Sequence, residues 1–177
     1  MAGAGTAANR HQFYQIIFLF PIFMQTKQEH YALLVEQVRS LISGESNRIG
    51  ILANVAALLS AEMKWWWTGF YLVNGERLEL GPFQGPVACF TIKKGRGVCG
   101  TAWERGVTIV VPDVEQFPGH IACSAASRSE IVVPLFGADG QVVAVLDVDS
   151  EHLSTFDDTD ARYLEQVAAI VSAQIGW

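Results

Sequence analysis

Trp65-Trp66-Trp67-Thr68-Gly69-Phe70-Tyr71-Leu72-Val73, then Asn74-Gly75, then Arg77-Leu78-Glu79-Leu80-Gly81, is the stretch that decides the fold. Its first part is aromatic and β-branched, which predicts a strand. Asn74-Gly75 is the strongest short hairpin signal in the sequence. The third part returns as the partner strand. A hairpin here sets an antiparallel sheet rather than a wound parallel one. Three consecutive tryptophans on a strand must place a ring on each face, so at least one is core.

Upstream, Tyr31, Leu34, Val35, Val38, Leu41 and Ile42 recur at helical spacing over residues 27–42, with Gly44 as the stop. Ser46 or Asn47 caps a second helix carrying Ile49, Leu52, Ala53, Ala56, Leu59 and Met63. Downstream, residues 87–92 read as a third strand and residues 95–105 as glycines leading into a short helix. Residues 107–111 are a strand stopped by Pro112, and residues 113–127 are a long connection. Residues 130–136 and 141–148 are strands around the turn Ala138-Asp139-Gly140. The second is nearly all apolar and therefore central. Thr155 is the expected cap of a last helix, with Asp157, Asp158 and Asp160 at its positive end. The order ααβββαβββα predicts a single α+β domain: a mostly antiparallel six-stranded sheet flanked by helices.

The 177 residues suit one domain, and a chain 50% hydrophobic and 17% charged can fill a core. A net charge of −6 with scattered basic residues argues against nucleic-acid binding. The apolar run at residues 16–23 is too short to span a bilayer. Pro21 interrupts it, and no small-residue cleavage site follows. Residues 1–26 therefore read as a leader or upstream extension outside the fold. Residues 27–177 read as the domain, in a cytoplasmic protein without a membrane segment.

Cys89, Cys99 and Cys123 form no C-x-x-C, and no histidine pair has helical spacing, so the pattern offers no structural zinc site. Cys123 lies in a glycine-containing loop beside His120, where reactive side chains are displayed. Gly95-Arg96-Gly97-Val98-Cys99-Gly100 matches G-x-G-x-x-G, but no acid follows on a next parallel strand. It reads as a tight turn, or as a helix start whose N–H groups stabilise a Cys99 thiolate. Asp147 and Asp149, at i and i+2, share one face at the end of the apolar strand. That is either a solvated strand end or a costly carboxylate pair that needs a ligand and keeps one member protonated. Glu130, at the start of the preceding strand, can join them across the sheet.

Together these blocks resemble the free methionine-(R)-sulfoxide reductases. They are Trp67 to Leu72, Leu80 to Gly85, Ala88-Cys89, Gly95 to Ala102, Gly119 to Cys123, Ser129 to Leu135 and Val145 to Ser150. The resemblance implies a GAF-type fold and thiol-dependent reduction of free methionine (R)-sulfoxide. It implies Cys123 as the attacking cysteine and Cys89 and Cys99 as resolving or recycling thiols. It implies Glu130, Asp147 and Asp149 on the substrate's polar groups, with Trp67 and Tyr71 near its methyl-sulfur end. It also implies thioredoxin as reductant and a homodimer. Sulfur chemistry of this kind needs no metal or organic cofactor. The alternatives are a GAF ligand-binding module, for which 177 residues leave no output domain, and a thiol redox sensor without turnover. A redox sensor leaves the three acids without a role.

Overall fold

The computed structural model describes residues 26–119 and 126–177. Four helices and six strands follow in chain order: α1 (Lys27–Ile42), α2 (Arg48–Met63), β1 (Trp67–Asn74), β2 (Arg77–Gln84), β3 (Thr91–Lys93), α3 (Gly97–Arg105), β4 (Ile109–Val111), β5 (Ser129–Phe136), β6 (Val142–Ser150) and α4 (Asp158–Ile175). A short 3-10 turn, Val114–Gln116, lies in the β4–β5 connection. The strands form one sheet in the order β3-β2-β1-β6-β5-β4, and every pairing is antiparallel. The hairpin is present, but its two-residue turn is Gly75-Glu76: Asn74 ends β1 opposite Arg77, and of Asn74, Gly75 and Glu76 only Gly75 takes a positive φ.

Alternation along the strands divides the molecule into two cores. Phe70, Ile131, Val133, Ala144, Leu146 and Val148 point to one face, where α1, α2 and α4 cover them. Trp67, Tyr71, Val132 and Val145 point to the other, against α3 and the β3 region. That second face carries the pocket.

Two local expectations are corrected, at the third strand and at the cap of α4, and one holds. The third strand is shorter and later, Thr91–Lys93, and leaves Val87 and Phe90 exposed. α1 stops as expected, with Ser43 as its C-cap and Gly44 following at a φ of 76°. α4 is capped by Asp157 rather than Thr155: Asp157 accepts from the N–H groups of Thr159 and Asp160, and Asp160 reciprocates in a capping box. Thr155 instead donates its hydroxyl to Ser150 Oγ at 2.7 Å, tying the loop to the end of β6.

The helical layer is latched by one buried group. Asp160, 2% exposed, accepts from Tyr31 Oη at 2.6 Å and from Lys27 Nζ at 2.5 Å. These contacts join the start of α4 to the first turns of α1. No helix among the described residues is long and apolar enough to cross a membrane. The apolar run at residues 16–23 lies outside the described residues.

Candidate active site

The site is built at the end of the two central strands. Register puts Trp67 opposite Asp149 and Gly69 opposite Asp147 across β1 and β6. It puts Glu130 opposite Asp149 and Val132 opposite Asp147 across β5 and β6. Period-two alternation then sends Trp67, Tyr71, Glu130, Asp147 and Asp149 to one side of the sheet. α3 closes that side and delivers Cys99. Gly100 makes this approach possible: a β-carbon there would meet the Lys93 carbonyl oxygen at 2.4 Å. The G-x-G-x-x-G stretch is thus the tight turn that seats α3. No parallel strand pair exists among the described residues to form a dinucleotide crevice.

These residues line a pocket of about 560 Å³, its open mouth included. Trp67 and Tyr71 form an aromatic wall with ring centroids 6.0 Å apart, and Phe83 stacks on Trp67 at 5.3 Å. Trp67 Nε1 donates to the Pro86 carbonyl at 3.1 Å and Tyr71 Oη to the Cys89 carbonyl at 3.0 Å. Both bonds hold the β2–β3 loop against the pocket rim.

The opposite wall is acidic and dry. Glu130 and Asp147 are 7% and 6% exposed. Burial first, then the charges of Asp147 and Asp149, holds the Glu130 carboxyl well above the usual range. Burial, then Asp149, does the same to Asp147. Asp149 is pushed up to about 6 by burial, against the hydrogen bond it accepts from Ser127 Oγ. Asp147 Oδ1 is buried with no hydrogen-bond partner. Such a wall favours the protonated forms of its carboxyls and holds one unused acceptor.

The structure corrects the thiolate reading of Cys99. Its thiol is 3% exposed and free, and Sγ donates to Glu130 Oε1 at 3.8 Å. Burial, then the Asp147 and Glu130 charges, pushes the Cys99 thiol up, against the modest pull of the α3 N-terminus. Cys89 is half-buried beside the same cluster and is engaged in a disulfide. Cys123 and His120 lie outside the described residues.

Six of the sequence-selected residues thus meet in one pocket: Trp67, Tyr71, Cys99, Glu130, Asp147 and Asp149. Ser127, Trp66 and Arg96 also line it and were not singled out for this site from the sequence. Trp66 carried a signal, as the middle of the tryptophan triplet. Ser127 and Arg96 are ordinary loop residues whose position only the fold reveals.

The GAF domain model matches residues 46–175. The free methionine-R-sulfoxide reductase of Escherichia coli is 46% identical over 144 residues, 81% of this chain and 87% of that protein. The free methionine-R-sulfoxide reductase of Saccharomyces cerevisiae is 39% identical over 154 residues, 82% and 86% of the two chains. Among solved structures, the Neisseria meningitidis free methionine-R-sulfoxide reductase in complex with its substrate superposes with a TM-score of 0.83. It is 51% identical and covers 85% of this chain and 90% of its own. The hairpin-centred antiparallel sheet, the acid-walled pocket and these likenesses agree, and this chain belongs to the free methionine-R-sulfoxide reductase family of GAF-domain oxidoreductases.

Proposed function

We propose that this chain reduces free methionine (R)-sulfoxide to methionine, with Cys123 as the nucleophile. The observation that carries the reading is the proton-retaining wall of Glu130, Asp147 and Asp149 facing the aromatic wall of Trp67 and Tyr71. A sulfoxide has an apolar methyl-sulfur end and a strongly accepting oxygen, and the pocket offers a complement to each. The aromatic wall receives the methyl-sulfur end. A neutral carboxyl donates to the oxygen, while an ionised neighbour pairs with the substrate ammonium. Arg96 and the first N–H groups of α3 stand on the rim where an α-carboxylate would lie. A peptide-bound residue has neither terminal charge, which explains a preference for the free amino acid.

The Cys123 thiolate attacks the sulfoxide sulfur. The carboxyl protonates the oxygen, which passes to the cysteine as a sulfenic acid while the thioether leaves as methionine. The sulfenic acid condenses with a second thiol, releasing water and forming a disulfide, and a dithiol such as thioredoxin reduces that disulfide by exchange. Two electrons thus pass from the reductant to the sulfoxide. The engagement of Cys89 in a disulfide, with Cys99 left a free thiol, supports Cys89 as the resolving partner. The cycle needs no metal or organic cofactor. In this reading residues 27–177 are the catalytic domain, residues 1–26 a leader whose last residue, Thr26, caps α1, and the enzyme is a cytoplasmic homodimer.

Turnover of Cys123→Ser with dithiothreitol tests the assignment. The reading expects no reduction above background, and substantial residual activity moves the nucleophile to Cys99 or Cys89. Peptide mapping after one turnover without reductant expects a Cys123 disulfide. Free thiols alone, or a stable sulfenic acid, contradict that route.

A further inference from the structure

The pocket floor has a donor set that the reductase reading does not use as a set. Cys99 Sγ and one carboxylate oxygen each from Glu130 and Asp147 lie within 4.8 Å of one another, and all three residues are buried. Asp147 lines the pocket, and its Oδ1 is buried with no hydrogen-bond partner. Cys99 is a free thiol, and none of the three takes part in an ion pair among the described residues. Asp149 lines the same pocket but lies outside this set, and a water can take the fourth position.

We propose that Cys99, Glu130 and Asp147 form a binding site for a thiophilic divalent cation of the zinc class, and that the bound ion blocks the substrate pocket. One soft sulfur with two or three hard oxygens suits a borderline ion such as Zn²⁺, rather than Mg²⁺ or Ca²⁺, which prefer oxygen alone. A tetrahedral ion with bonds of about 2.0–2.3 Å needs donors roughly 3.3–3.8 Å apart, a small contraction of the observed cluster. The ion replaces the thiol proton and any proton held by the Glu130 and Asp147 carboxyls, and these leave to solvent. It neutralises the charge that makes three buried acids costly beside one another. It also removes the carboxyl that would protonate the sulfoxide and fills the space of the sulfur. The ion is therefore an inhibitor of this site and not a cofactor of it. The ligands come from α3, β5 and β6, so no spacing motif announces them.

The blocking half of the inference rests on the proposed reaction; the binding half does not. The fully reduced full-length chain, held with a phosphine reductant, is titrated with Zn²⁺ by calorimetry and with Co²⁺ by absorption. The expected result is one ion per chain and a strong thiolate-to-cobalt band. The band persists when Cys89 and Cys123 are both changed to Ser, and is lost in Cys99→Ser. Zn²⁺ affinity falls about 10-fold or more in Asp147→Asn and in Glu130→Gln, with near-ultraviolet circular dichroism confirming the folds. Free methionine sulfoxide should weaken the binding. A band that survives Cys99→Ser, or Zn²⁺ binding unchanged in both carboxyl variants, overturns the site; binding indifferent to the sulfoxide overturns the blocking half. A chain that binds the ion this way yet reduces no sulfoxide without metal refutes the enzymatic reading and leaves the site intact.

Discussion

Glu130, Asp147 and Asp149 are at odds with folding stability, and that conflict is their signature. An acid whose folded pKa is raised weakens the fold once the unfolded chain can ionise and the native chain cannot. Asp149→Asn removes that penalty and keeps an acceptor for Ser127. It should raise Tm at pH 7.5 by about 2–4 °C in a scanning-calorimetry comparison. The same change should lower kcat by about 10²–10⁴-fold, the usual cost of losing a positioned general acid. Asp147→Ala and Glu130→Ala should also weaken substrate binding, read as a raised KM. If all three leave kcat/KM within a few-fold, the buried cluster takes no part in turnover. Much of this was legible in the sequence. Asp147 and Asp149 share a face because strands alternate, and Glu130 joins them because β5 and β6 are consecutive. The state of Cys99 was not legible, because the charges that set it come from strands 31 and more residues away. Ser127 carried no signal at all.

Among the elements, the α1–α4 latch is the feature that local reading understated. Asp157 and Asp160 were legible as acids at a helix start, but the cap fell on Asp157 rather than Thr155 because Thr155 is taken up by Ser150. That Asp160 is a buried acceptor for both Tyr31 and Lys27 depends on how two helices dock, which no single-helix period encodes. Removing it strands a buried hydroxyl and frees an ammonium. Asp160→Ala should cost about 3 kcal/mol, or about 6–12 °C in Tm, and Tyr31→Phe should cost less. Both variants should keep wild-type kcat at 25 °C, because α1 and α4 cover the face of the sheet opposite the pocket. A large kcat loss in a folded Tyr31→Phe protein would show that the two faces are coupled.

Taken as a whole, the molecule should show two opposed acid limbs. Asp149 ionises near 3.8 when unfolded but at about 6 in the fold, so its penalty is absent below pH 4 and develops fully as pH rises past 6. Asp157 behaves oppositely. The hydrogen bond from Lys27 holds it down to about 2, so its contribution is present above pH 4 and is lost as pH falls toward 2. Urea-unfolding midpoints should therefore be highest at mildly acidic pH and decline on both sides. A midpoint that climbs steadily from pH 4 to 8 would contradict the raised carboxyls. The antiparallel topology behind this was legible from one hairpin, since Asn74-Gly75 fixes the sense of β1 and β2, and the apolar run of β6 fixes a central strand. The division into a helical face and a pocket face followed from alternation once that sheet was assumed. The central claim is that the acid wall and the aromatic wall select a free amino-acid sulfoxide, with the (R) hand implied by the family likeness. The direct measurement is thiol-dependent loss of free methionine (R)-sulfoxide, free (S)-sulfoxide and peptide-bound methionine sulfoxide, each followed separately by chromatography. The account predicts rapid loss of the free (R) form alone, abolished in Cys123→Ser; equal loss of both epimers, loss of the peptide-bound form, or no loss at all would contradict it.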